Sequence, residues 1–422
     1  DNEKKVNNGL SFSMLNKYFR TTEEENYFSF LRENIITQPE FLYANSNVEE
    51  KNQSLKFAKR QRFPELSMRI INDKVIDRNV SDFTSIRKRQ DDSFDAALEI
   101  SQPLYSGGSI RGQIRKSLTD KNNSIVERRG TISELILDAN EIYLAAVKSD
   151  ILYKRAKEIV NEIDPYMKKV KDRVNLGISD PIELAFFSIK YNDLKSKLQL
   201  LKTQRNRDLG IFEYFFESKF DNFMLPEVFV PLVEINKKDE AYKVKSSRLN
   251  YKSLVHDTEI VKGEYRPKFG FNTRYTVYDL DEDENDRDIR GGIYFTMPIF
   301  TFGRGSARIS ASKAKANASK MNIDIEKKTD EATENEIVNL IASSLNTRNE
   351  IFSSFEDTKR QGRIIRERLD STNFSPQSFV ESGLQEINLL QRILDTEISL
   401  LHGYFLYLHQ NQLLNSHIRI KL

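Results

Sequence analysis

The stretch from Gly108 to Leu176 limits what this chain can fold into more than any other. Its helical pattern is broken only by Pro165. Apolar or small residues fall at Ile132, Leu135, Ala139, Ile142, Ala146, Ser149, Tyr153, Ala156, Val160 and Ile163, in steps of three and four. Such a helix, at about 1.5 Å per residue, approaches a length of about 100 Å. It cannot fold back into a compact domain and must project away from whatever anchors it. Pro165 should bend it slightly.

The segment Arg173 to Glu183, Arg-Val-Asn-Leu-Gly-Ile-Ser-Asp-Pro-Ile-Glu, reads as the tip of a helical hairpin. Gly177 supplies a permissive backbone where one helix stops, and Ser179 or Asp180 followed by Pro181 caps the next. Downstream, Leu184, Phe187, Tyr191, Leu194, Leu198 and Leu201, then Arg205, Asp208, Phe212 and Phe215, continue the rhythm. A heptad spacing on both sides of a turn predicts an antiparallel coiled-coil hairpin.

A second hairpin is expected near the C-terminus, with its tip at Ser382-Gly383-Leu384. The stripe Ile387, Leu390, Leu394, Leu401, Tyr404 and Leu408 follows it, interrupted by Glu397. Other landmarks recur at offsets of about 200 residues: Arg62-Phe63-Pro64 with Tyr265-Arg266-Pro267, and Gln102-Pro103 with Met297-Pro298. The chain therefore reads as two structural repeats, 1–220 and 221–422. The first holds an N-terminal helix from about Ser11 to Gln61 with a break at Thr37-Gln38-Pro39, strands near 65–78 and 93–105, and a hairpin over 108–217. The second holds an equatorial segment near 221–250, strands near 267–279 and 289–301, and a hairpin over 305–414.

The strands announce themselves by a change of period to two. Leu66, Met68 and Ile70 alternate with Ser67 and Arg69, and Phe94, Ala96, Leu98 and Ile100 alternate with Asp95, Ala97, Glu99 and Ser101. In the second half, Phe269, Phe271, Thr273, Tyr275 and Val277 share one face of a strand, and Ile289, Gly291, Ile293, Phe295 and Met297 one face of the next. Four such strands cannot close a barrel alone, and an open amphipathic sheet leaves two edges exposed. Three copies would supply twelve strands. The expected fold is an α+β membrane protein: a trimeric 12-stranded β-barrel, four strands per chain, with the long helices projecting away from the membrane.

Composition agrees. Only 38% of the 422 residues are hydrophobic and 30% are charged, which suits long helices burying a narrow stripe. No apolar run is long enough for a membrane-spanning helix, so a membrane would have to be crossed by β-strands. The net charge of +2 gives no global attraction to nucleic acid. Zero cysteines exclude disulfides, thiolate metal sites and a cysteine nucleophile. The N-terminal residues lack the apolar core of a secretory signal, which fits either a cytoplasmic protein or a signal already removed.

These residues resemble the TolC-like outer-membrane efflux protein family. The resemblance is carried by the duplicated strand-to-helix bends Gln102–Gly108 and Met297–Gly303, by the glycine-centred segments Val174–Ser179 and Ser382–Glu386, and by Asn388-Leu389-Leu390. It implies a homotrimeric exit duct of a tripartite efflux or type I secretion system, set in outer-membrane lipid, its β-barrel continuous with a long periplasmic α-helical coiled-coil barrel. A periplasmic adaptor, fed by an inner-membrane pump, would dock on Leu176, Gly177, Ile178 and Ser179 and on Ser382, Gly383 and Leu384. Acidic rings constrict the entrance in some members. The comparable positions here hold Asn388 and Gln391, with Glu386 and Glu381 as the nearest acids and Gln385 as a further gate candidate, and a ring of Asn or Gln would constrict without strong cation affinity. The lack of an N-terminal cysteine leans toward a protein-secretion or general-purpose duct.

Other features have plainer readings. Asp279 to Asn285 begins like a calcium loop, but Glu284 stands where glycine is needed and Arg290 where a bidentate Glu is needed, so it reads as a solvated loop. Arg87-Lys88-Arg89 reads as a solvated loop too. His402 and His409 lie one heptad apart, which suits a core or interface and not a metal. No catalytic cluster, phosphate-binding glycine loop or cofactor motif is present, and no enzyme is expected. The competing class is a soluble coiled-coil scaffold, which explains the heptads but leaves the four paired strands unexplained.

Overall fold

The computed structural model describes residues 9–74, 76, 92–178, 180–221, 223–231, 239–280, 286–367 and 376–421. In chain order these form β1 (Thr21–Glu23), α1 (Glu24–Ile35), α2 (Pro39–Arg60), β2 (Glu65–Lys74), β3 (Asp92–Ser106), α3 (Ser109–Asn175) and α4 (Pro181–Phe216). Then follow β4 (Leu225–Glu227), α5 (Tyr242–Glu264), β5 (Lys268–Val277), β6 (Arg287–Thr296), α6 (Arg304–Glu367), α7 (Pro376–Gln410) and the single turn α8 (Leu414–His417). The longest, α3, runs unbroken through Pro165 for 67 residues.

The chain divides into two compact units, each drawn from both halves of the sequence. One comprises Asp1–Ala44, Arg128–Tyr242 and Lys327–Leu422; the other comprises Asn45–Glu127 and Lys243–Glu326. The first unit buries the heptad stripes. Ile132, Leu135, Ala139, Ala146, Ala156, Val160 and Ile163 of α3 are buried, as are Phe187, Tyr191, Leu194 and Leu201 of α4 and Ile387, Leu390, Leu394 and Leu401 of α7. Asp150, buried in the core, accepts from Arg205 Nε at 2.7 Å, which explains the polar Arg205 in the α4 stripe. His409 Nδ1 lies 2.8 Å from Ser133 Oγ, a structural contact.

The second unit carries the four-stranded antiparallel sheet, in the order β2-β3-β5-β6. Its register settles the faces. Leu66 pairs with Ile100, Met68 with Leu98 and Ile70 with Ala96. Ala96 in turn opposes Val277, Leu98 opposes Tyr275 and Ile100 opposes Thr273, and Phe269, Phe271 and Tyr275 oppose Phe295, Ile293 and Ile289. Because directly opposed residues share a face, the predicted apolar sets merge into one continuous apolar surface. The other face is polar, with Glu99 and Arg274 bonded at 3.1 Å. Leu66, Met68, Ile293 and Phe295 are each more than 60% exposed, so the apolar face is left uncovered by the described residues. Among the described residues β2 pairs only with β3 and β6 only with β5, leaving both edges open.

Several boundaries differ from expectation. The N-terminal region is not one helix from Ser11: Phe12 takes a left-handed φ of 56°, a short turn covers Ser13–Leu15, and β1 pairs with β4 before α1 starts. The segment near 221–250 runs into a helix at its end, because α5 begins at Tyr242. The fourth strand ends at Thr296, short of 301, since Pro298 cannot continue a ladder. The basic run at 87–89, the acidic residues 281–285 and the end of the first strand, 77–78, lie outside the described residues.

Candidate functional site

At the end of α3 the sequence dictates a glycine turn. Gly177 adopts φ +69°, and an added Cβ there would meet nothing within 4 Å. It is the backbone that needs glycine, not the space around it. Gly177 N–H donates to Val174 O at 3.0 Å and Ile178 N–H to Arg173 O at 2.8 Å, the paired bonds of a Schellman cap. Three residues on, the Asp180 carboxylate accepts from Ile182 N–H at 2.8 Å, with Pro181 at the first helical position. Sequence alone specified this turn. Leu176 and Ile178 are 74% and 64% exposed, and Ile182, Phe186 and Ile189 extend an uncovered apolar line along α4. Ser179 lies outside the described residues.

The second tip does not stand where the sequence pattern placed it. Ser382, Gly383 and Leu384 are interior to α7, which starts at Pro376, and α6 ends at Glu367. Residues 368–375, between α6 and α7, lie outside the described residues. Gly383 is glycine for a packing reason: a Cβ there would stand 2.7 Å from Ile159 Cγ2 of α3. A readable signal was missed. Pro376 opens α7 in its first turn, and it follows Pro181 by the same interval as Pro298 follows Pro103.

This shift reassigns the residues expected at an entrance. Glu386 is not free to line a pore; it is 2% exposed and accepts from Arg155 Nε at 2.7 Å. Its second oxygen lies 3.9 Å from Arg366 of α6. Arg366 also meets Glu162 of α3 at 3.2 Å, and Arg155 meets Glu158 at 2.8 Å. Four charged residues and their neighbours thus tie α3 to both α6 and α7. Burial opposes the charge on Arg155, but its bonds to Glu386 and Glu158 more than reverse this and hold the guanidinium above its ordinary value. Nearby, Glu381 lies 3.7 Å from Lys190 and Gln391 accepts from Lys197 Nζ at 3.2 Å, both reaching α4. Gln385 and Asn388 are exposed.

Glu397, which interrupts the α7 stripe, is a buried anchor. It is 0% exposed and pairs with Arg348 of α6, itself 2% exposed. Glu397 also accepts the Phe12 backbone N–H at 2.7 Å, and Arg348 donates to Leu10 O. Burial pushes the Glu397 carboxyl up, and the Arg348 charge and the Phe12 N–H work against it. The pair therefore pins the N-terminal segment across α6 and α7. The polar residue is visible in the sequence; its partner on another helix is not.

Among the described residues no group of three or more His, Cys, Asp or Glu side chains could hold a metal, and no helix is long and apolar enough to cross a membrane. Two hairpins of very long helices joined to an amphipathic four-stranded sheet define the fold of the TolC-like outer-membrane channels, and the chain has that fold. The outer-membrane channel CmeC of Campylobacter jejuni superposes with a TM-score of 0.73 at 15% identity, over 92% of this chain and 86% of that one. A membrane protein from Pseudomonas aeruginosa gives 0.77 at 10% identity, over 94% and 91%. The outer-membrane protein VceC of Vibrio cholerae gives 0.68 at 11%, over 90% and 96%. At these identities the likeness is one of fold. No family model and no curated protein sequence matches the chain.

Proposed function

We propose that the chain is an outer-membrane exit channel of a tripartite efflux or type I secretion system. It acts as a passive homotrimeric duct. The observation that carries this reading is the sheet: one face continuously apolar, the other polar, both edges open. Closing three such sheets edge to edge gives a twelve-stranded barrel with its apolar face to lipid and its polar face to a water-filled lumen. A soluble scaffold has no use for that surface. The order helix, strand, strand, long helix, helix, running through α2 to α4 and again through α5 to α7, supports the reading as two repeats.

In this duct the long helices form the periplasmic barrel, and energy comes from a partner pump. An adaptor docks on the exposed apolar tip of Leu176, Gly177 and Ile178, continued by Ile182. The Arg155–Glu386–Arg366–Glu162 network holds the second hairpin against the first in the narrow state. Adaptor contact that favours the untwisted arrangement opens the entrance, since a ligand shifts an equilibrium only by its differential affinity for the two states.

The test is the mass and conductance of detergent-extracted protein. A trimer of the 49.2 kDa chain that conducts ions across a planar bilayer is expected. A monomer or dimer soluble without detergent would overturn the channel.

A further inference from the structure

The unit that carries the sheet holds a cavity of about 660 Å³ where β3 bends into α3. Gly107 forms that bend with φ +67°, and an added Cβ there would stand 2.3 Å from Gly263 O, so strand end and α5 are held tightly together. Four arginines line the cavity: Arg62, Arg111, Arg115 and Arg266. Its single lining carboxylate, Glu259, is already engaged by Lys262 at 2.5 Å and lies 3.8 Å from Arg266. Among the described residues Arg62, Arg111 and Arg115 make no ion pair, and Arg115 acts on Glu259 only at longer range. Such an excess of guanidinium groups, in a concave site, calls for an anion with several oxygens.

The position of the cavity says which anion. Gln102 and Tyr105 border it. Gln102 opposes Phe271, and across a bulge Tyr105 opposes Phe269, so both stand on the apolar face of the sheet. The Tyr105 and Phe269 rings lie 5.5 Å apart. With Phe295 opposite Phe269, this helix-side end of the apolar face is an aromatic band. Aromatic bands mark the level of the headgroups at the edge of a bilayer. The arginines therefore sit just beyond the acyl region, at the depth of lipid phosphates.

We propose that this cavity binds the phosphate-bearing headgroup of an anionic phospholipid in the helix-side leaflet, its acyl chains lying along Tyr105 and Phe269. The inference rests on reading the sheet as a membrane barrel. Gln102 donates to Arg62 O at 2.8 Å, which ties the strand end to the segment carrying that arginine. A bound lipid would thus brace the junction between strands and helices.

The full chain in dodecyl maltoside is titrated with dihexanoyl phosphatidylglycerol by calorimetry, and separately with inorganic phosphate. Saturable lipid binding is expected, weakened at least about tenfold in Arg111→Gln/Arg115→Gln. Partial retention is expected in Arg111→Lys/Arg115→Lys, with an unchanged thermal transition in both variants. Equal lipid affinity in the Gln variant, or displacement of the lipid by equimolar phosphate, would overturn the proposal. Flotation separates the two readings. A chain that floats with phosphatidylcholine vesicles yet shows no preference for phosphatidylglycerol refutes the headgroup site alone, whereas a chain that floats with neither refutes the barrel.

Discussion

Replacing Glu386 with Gln tests the entrance network most directly. The carboxylate is 2% exposed and faces Arg155 at 2.7 Å and Arg366 at 3.9 Å. Two unit charges at that longer distance attract by about 4 kcal/mol at an effective dielectric constant of about 20. Desolvation of a nearly buried carboxylate offsets much of this. Gln still accepts a hydrogen bond from Arg155, and Arg155 keeps Glu158 at 2.8 Å and Glu162 at 3.9 Å. The net loss is then about 1.5 to 3 kcal/mol. If the bond exists only in the narrow state, the ratio of open to narrow channels rises by about 10- to 150-fold, since about 1.4 kcal/mol is a factor of ten. Single-channel recording of purified protein in a planar bilayer reads this as open probability. Arg366→Gln should produce a smaller rise, and the two should not add, because they share one contact. A Glu386→Gln channel with normal assembly and unchanged open probability would refute the network as the element that holds the entrance narrow.

Three further outcomes are expected. Glu397→Leu alone should lower stability by about 3–5 kcal/mol by stranding buried Arg348, whereas Arg348→Met/Glu397→Leu should recover most of it; thermal melts of the three proteins check this. Gly383→Ala should destabilise by about 1–3 kcal/mol through overpacking against Ile159, while Gly177→Ala should leave the core intact and lose only about 1 kcal/mol from its left-handed backbone, seen as local proteolysis near the tip. Burial lowers the His417 pKa, and its Nε2 is buried without a partner. The unfolded chain therefore binds more protons once pH falls through the ordinary histidine range, so stability present above about 6.5 is lost as pH falls toward the folded value. His417→Phe should flatten that part of the melting temperature profile between pH 7.5 and 5.5.

Periodicity made most of the fold legible. A three-and-four rhythm at Ile132 to Ile163 determines a buried helical stripe in any folded context, and alternation at Phe94 to Ile100 determines a two-faced strand. The first turn was equally readable, because Gly177, Asp180 and Pro181 act on backbone groups within a few residues of themselves. The second turn was misplaced because glycine has two uses. At Gly177 it provides a left-handed backbone; at Gly383 it makes room for Ile159, a residue more than two hundred positions away. No local pattern distinguishes them.

The same limit applies to charge. The sequence displays Glu386 and Glu397 as polar residues within an apolar stripe, and says nothing of Arg155, Arg366 or Arg348, which reach them from other helices. Likewise it gives four amphipathic strands but not the order β2-β3-β5-β6, and four scattered arginines but not the cavity that gathers them. Local sterics and hydrophobic period are written residue by residue, so the sequence alone determined the elements and their faces. Pairing between distant side chains depends on how those elements pack, and only the tertiary structure decided it.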